Sequence, residues 1–102
     1  MNNLQIVISD EAIHWYKKEL ELTNPTYVRF HVRYGGVGGN VPGFSLGLAI
    51  EPPTQIHTSI ETDLITFYIE ESDAWYFEDK NLVITLNEEL NEPQFTYESA
   101  EA

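Results

Sequence analysis

Two alternating segments joined by a glycine-rich loop constrain this chain more than any other feature. Over residues 27–34, Val28, Phe30, Val32 and Tyr34 alternate with Arg29, His31 and Arg33. A period of two becomes one apolar and one polar face only in an extended strand. Phe44, Leu46, Leu48 and Ile50 alternate in the same way with Ser45, Gly47, Ala49 and Glu51, and Pro52-Pro53 ends that run. The nine residues between, Gly35-Gly36-Val37-Gly38-Gly39-Asn40-Val41-Pro42-Gly43, hold five of the six glycines and a proline, so a loop must separate the two strands.

Around this pair the signals are shorter. Residues 4–8 predict a strand with Leu4, Ile6 and Ile8 on one face. Ser9 then caps a helix whose positive end carries Asp10 and Glu11. Ile13, Tyr16 and Leu20 share one face of that helix, which is expected to run to about Leu22, before Thr23-Asn24-Pro25. Further strands are expected at 56–60, 64–70, 82–86 and 94–97, with one helical turn over 72–77 capped by Ser72. Residues 98–102 read as a short acidic tail that frays.

At 102 residues the chain supports one domain, residues 1–102, that buries roughly two thirds of its unfolded surface. Seventeen acids against five Lys and Arg give a formal charge of -12, which repels phosphate backbones and anionic headgroups; neither nucleic acid nor a membrane surface is expected as a partner. No apolar run reaches the ~20 residues of a spanning helix, and Met1-Asn2-Asn3 lacks the start of a signal peptide. A cytoplasmic location is the expectation. The absence of cysteine removes disulfides, thiolate metal ligands and cysteine nucleophiles together.

The loop invites a phosphate reading, since glycine amides can cradle anions. Yet the G-x-G-x-x-G pattern opening a helix is missing, no Gly-Lys-Ser/Thr follows, and the loop leads into a strand. A backbone-shaped loop for ligand or partner contact is the better reading, and its glycines should make it the most mobile internal segment. Arg29, His31 and Arg33 form a basic stripe that either pairs with acidic strand neighbours or serves as a docking face. Pairing is expected for Arg29 and a binding role for Arg33, beside the loop. His14, His31 and His57 have no metal-ligand spacing, no serine lies in a G-x-S-x-G elbow, and carboxylate pairs such as Glu70-Glu71 and Glu88-Glu89 read as solvated charge. Trp15 and Trp75 read as core or interface anchors.

Read as a whole, the chain resembles the HesB/IscA-like, or A-type iron-sulfur carrier, family. The likeness rests on the Ser-Asp-initiated helix, the strand Val28-Arg29-Phe30-His31-Val32-Arg33, the glycine-rich loop and the segment Tyr76-Phe77-Glu78-Asp79-Lys80-Asn81-Leu82. It implies an α+β fold: a small β-rich domain with two layers of mixed strands and one N-terminal helix packed against them. In such proteins one loop cysteine and a C-terminal Cys-Gly-Cys hold iron or a cluster. Val37 stands at the loop position, and the chain passes Phe95-Thr96-Tyr97 without any Cys-Gly-Cys. No cofactor is therefore expected. The expected role is that of a non-catalytic relative that has lost cluster binding and engages a protein partner or ligand through Arg33, Gly35, Gly36, Val37, Gly38, Gly39 and Asn40. A small enzyme or metal-binding protein using His and carboxylate ligands is the alternative. Carriers of this type commonly associate, so a homo-oligomer is open.

Overall fold

In the computed structural model, residues 4–36 and 39–99 are described. The elements follow in the order β1 (Ile6–Ile8), α1 (Asp10–Glu19), β2 (Thr26–Tyr34), β3 (Phe44–Ile50), β4 (Ile56–Glu61), β5 (Ile65–Glu70), a 3-10 helix (Glu71–Phe77), β6 (Lys80–Asn87) and β7 (Glu92–Ser99). They form a three-stranded sheet in the order β1-β6-β7 and a four-stranded sheet in the order β3-β2-β5-β4. Both sheets are mixed: β1 runs parallel to β6 and β2 parallel to β5, whereas β2-β3, β4-β5 and β6-β7 are antiparallel. This is the double layer with one N-terminal helix that the resemblance implies.

The core lies between the layers, where the period of two sends Val28 and Phe30 of β2, Ile65, Phe67 and Ile69 of β5, and Leu82 and Ile84 of β6. Phe30 and Phe67 stack with ring centroids 5.5 Å apart. Tyr16 of α1 meets Phe67 edge-on at 5.3 Å, and Phe95 of β7 meets Phe30 edge-on at 5.7 Å. Each fully buried side chain of this size contributes about 1.5–3 kcal/mol of transfer free energy, so these four rings tie helix and sheets into one core. Burial pushes the Tyr16 hydroxyl well above the ordinary tyrosine value.

Several boundaries differ from the sequence reading. The Ser9 Oγ does accept the Ala12 N-H at 3.2 Å, but α1 stops at Glu19 instead of Leu22. Glu21 takes a left-handed conformation (φ 52), and the amides of Glu21 and Leu22 turn back to the carbonyls of Lys18 and Lys17, so the chain leaves the helix axis before Thr23. Ser72 is not a cap. The 3-10 helix starts directly from Glu70 at the end of β5 and has no side-chain cap bond. The expected tail is also corrected in part, because β7 continues to Ser99 with Glu98 opposite Asn81 of β6; residues 100–102 lie outside the described residues. Tyr34 shares the inward parity of Val28 and Phe30 but is 88% exposed, since it lies at the end of β2, where its ring meets the Phe44 ring edge-on at 5.7 Å.

Candidate functional site

The loop after β2 leaves the sheet at its end and returns as β3. Gly35 donates its N-H to the Gly43 carbonyl at 2.7 Å, which closes the neck of the loop. Gly35, Gly36 and Gly43 all have positive φ (104, 83 and 88), which only glycine adopts without strain. Gly39 is required for a different reason: a Cβ there would run into the Phe44 carbonyl oxygen and the Tyr76 hydroxyl. Val37 and Gly38, two of the residues expected to contact a partner, lie outside the described residues.

Asn40 anchors the described part of the loop to the other layer. Its N-H donates to the Tyr76 hydroxyl at 2.7 Å, and its side-chain amide donates to the Tyr76 carbonyl at 2.8 Å and to Glu78 Oε1 at 3.2 Å. Lys80 Nζ donates to Asn40 Oδ1 at 3.1 Å. The Tyr76 hydroxyl also meets the Tyr97 hydroxyl at 3.3 Å. Burial pushes the Tyr97 hydroxyl far above the ordinary tyrosine range, with the Tyr76 bond adding to the effect, so Tyr97 is a neutral phenol. A cleft of about 270 Å³ opens between the loop and β7, lined by Arg33, Gly36, Gly39, Ser45, Phe95 and Tyr97.

The two arginines separate sharply. Arg29 donates from Nη1 to Glu51 at 2.7 Å and from Nη2 to Asp73 at 2.8 Å, and Asp73 is buried. The hydrogen bond to Asp73 and then that to Glu51 raise the Arg29 pKa further against the opposing effect of burial. Arg33 makes no ion pair among the described residues; its Nε donates to Ser45 Oγ across the β2-β3 pair at 3.3 Å. His31 lies over Gly47, where a Cβ would press on its ring at 2.8 Å. Structural pairing for Arg29 and an uncommitted charge at Arg33 are thus what the sheet provides.

Glu70 is a correction. Far from solvated charge, it is 5% exposed and accepts the amides of Thr54 and Gln55 at 2.7 and 2.8 Å. The Thr54 amide, followed by that of Gln55, holds its pKa below the ordinary glutamate value against the opposing effect of burial. Glu71 is exposed and lies 3.3 Å from His57 Nδ1. Sequence reasoning also missed Ser45 and Tyr97 at the cleft, and Tyr76 and Lys80 as the anchors of Asn40. The signal for the tyrosines was present in the aromatic run Trp75-Tyr76-Phe77 and in the alternation of Phe95 with Tyr97, but nothing local says that both hydroxyls meet under the loop.

The donors at this cleft do not fit an iron-sulfur cluster. Clusters are held mainly by thiolates, whereas the cleft offers backbone, a hydroxyl, a guanidinium, a neutral phenol and a phenyl ring. Among the described residues no three His, Asp or Glu side chains come together in a way that could hold a metal ion, and no helix is long and apolar enough to cross a membrane.

The chain has relatives among known proteins. It is 44% identical over 95 residues to a pyruvate dehydrogenase inhibitor of Bacillus subtilis (strain 168), covering 93% of this chain and all of that protein. It is 37% identical over 92 residues to an uncharacterized protein of Staphylococcus saprophyticus, covering 87% of this chain and 94% of the relative. An uncharacterized protein of Staphylococcus aureus (strain MRSA252) is 34% identical over 96 residues, covering 91% and 98%. No solved structure matches. Residues 4–102 match the family described as iron-sulphur cluster biosynthesis. With its two mixed sheets, its N-terminal helix and a glycine-rich loop whose cleft holds no thiolate, this chain belongs to the iron-sulphur cluster biosynthesis family as a divergent, cysteine-free member.

Proposed function

We propose that this protein is a non-catalytic member of its family that no longer carries a cluster and acts by binding a pyruvate dehydrogenase and restraining its activity. The observation that carries this reading is the 44% identity that extends over the whole length of the Bacillus pyruvate dehydrogenase inhibitor. The cleft supports it: with no thiolate to hold metal, the loop and its surroundings are left to recognition. Arg33, without a carboxylate partner among the described residues, and the backbone of Gly35, Gly36, Gly39 and Asn40 are the candidate contacts on this face; Val37 and Gly38, expected from the sequence to take part, lie outside the described residues.

A binding inhibitor and an enzyme that modifies its target behave differently in one titration. The purified protein is added in increasing amounts to a pyruvate dehydrogenase complex from the same organism while pyruvate turnover is followed. Activity should fall in proportion to the sites filled, reach its level without delay, and return when the protein is diluted away. Inhibition that grows with time at substoichiometric protein and survives its removal would instead identify an enzyme. Full activity with excess protein, and no co-elution with the complex, would refute the reading. For the alternative of a metal-binding protein, no suitable group of His and carboxylate side chains comes together among the described residues.

A further inference from the structure

Next to the loop, a row of aromatic rings runs from the surface into the core. Tyr34 meets Phe44 edge-on at 5.7 Å, Phe44 meets Trp75 at 5.3 Å, and Trp75 meets Tyr76 at 6.0 Å. The outer end is open, with Tyr34 88% and Trp75 53% exposed, while Tyr76 is fully buried. Three large rings from three elements, the end of β2, the start of β3 and the 3-10 helix, thus form one contiguous face. Folding alone gains little from leaving Tyr34 there, since its ring has no other aromatic neighbour among the described residues. Tyrosine and tryptophan presented in this way are the residue types that dominate protein interfaces.

The surroundings of the row say what it fits. Trp75 shares a cavity of about 200 Å³ with Glu78 and Asp79, and Glu71 is exposed on the same 3-10 helix. Of the nearby cations, Lys80 donates to the Asn40 side-chain oxygen, His57, which also lines that cavity, lies against Glu71, and Arg33, free of ion pairs among the described residues, stands on the opposite face of β2 from Tyr34. An aromatic face beside carboxylates attracts lysine or arginine side chains through both the ring quadrupole and charge, and the whole chain has a formal charge of -12.

We infer that the face formed by Tyr34, Phe44 and Trp75 extends the docking surface beyond the loop contacts, and that its occupant is a basic patch of the partner protein, a lysine or arginine side chain entering the cavity beside Trp75. This rests on the reading of the protein as a binding inhibitor and names the surface and the chemistry of contact. The charge of the chain argues against a second copy as occupant, because two copies would bring like-charged carboxylates together.

The test uses the full chain with Trp15→Phe, so that Trp75 is the one tryptophan, and reads its emission. On titration with the pyruvate dehydrogenase complex the emission should shift, and raised salt should weaken binding steeply. Tyr34→Ala, at a position too exposed to disturb folding, should weaken binding by at least tenfold, as should Trp75→Ala, and both affinities are read by co-elution with the complex because Trp75→Ala removes the emitting ring. Wild-type binding with unchanged affinity in Tyr34→Ala and Trp75→Ala would overturn the inference and leave the proposed function standing. If the complex does not bind at all, the proposed function falls; the surface is then read with a short arginine-rich peptide against a glutamate-rich one of equal length. A shift of Trp75 emission with the basic peptide alone supports the inference, and an equal or absent response to both overturns it. Concentration-dependent self-association lost in Tyr34→Ala would assign the face to a second copy and overturn it as well.

Discussion

Replacing Arg29 with alanine should be the most damaging single change on the outer face of the four-stranded sheet. Arg29 holds Asp73, whose side chain is 10% exposed, and Glu51, whose side chain is 43% exposed. Removing one partner of a buried pair costs about 3–5 kcal/mol, because the remaining charge stays buried without compensation. The Glu51 arm is close to an ordinary surface pair, worth about 0–1 kcal/mol. Solvent reaches part of the Arg29 side chain, which is 23% exposed, so the combined loss should be about 2–4 kcal/mol. For a domain of this size that lowers Tm by roughly 10–25 °C. Thermal and urea unfolding of Arg29→Ala beside Arg33→Ala measure it directly. Arg33→Ala should stay within about 0.5 kcal/mol of wild type, because its described partner is one long hydrogen bond to Ser45. Adding Asp73→Asn to Arg29→Ala should recover part of the loss, since the neutral amide removes the stranded charge. A Tm for Arg29→Ala within 3 °C of wild type would refute the reasoning that Asp73 depends on this guanidinium.

Gly39→Ala should shift the loop and release Asn40 from Tyr76, since the added methyl meets the Phe44 carbonyl and the Tyr76 hydroxyl; overpacking of this kind costs about 1–3 kcal/mol, and hydrogen exchange at the Asn40 amide should accelerate while that of β2 does not. Glu70 has a lowered folded pKa, so its contribution is fully present above the ordinary glutamate value of about 4.3 and is lost as pH falls through the folded value. Melts of wild type and Glu70→Gln should therefore differ at pH 7 and converge in acid; a gap that persists in acid would show that the carboxylate charge is not what binds the Thr54 and Gln55 amides. Anaerobic reconstitution with iron and sulfide should leave the desalted protein colourless, because no thiolate exists to hold a cluster; stoichiometric visible absorbance surviving desalting would contradict this.

The sequence by itself determined the elements whose signal is periodic. The alternation in β2 and β3 located both strands to within a residue, and the glycines between them required the loop. Ser9 with Asp10 and Glu11 placed the start of α1 correctly, because an N-cap is satisfied within three residues. Its end was misplaced because the left-handed turn at Glu21 has no glycine to announce it. The loss of thiolate chemistry was legible in full, since composition alone decides it.

Only the tertiary structure decided what depends on residues distant in the chain. Glu70 looked like one of a pair of solvated acids until the turn after β3 brought two amides to its carboxylate. Asn40 is joined to Tyr76 across 36 positions, and Tyr76 to Tyr97 across 21, so the cleft under the loop exists only when the two sheets stack. Arg29 and Arg33 are four residues apart on one strand face, yet one is locked between two carboxylates and the other is free of ion pairs among the described residues. The strand period fixed the face on which both arginines stand, whereas the neighbours that decide their roles, Ser45 of β3, Glu51 just beyond it and Asp73 of the 3-10 helix, take positions that no local pattern encodes.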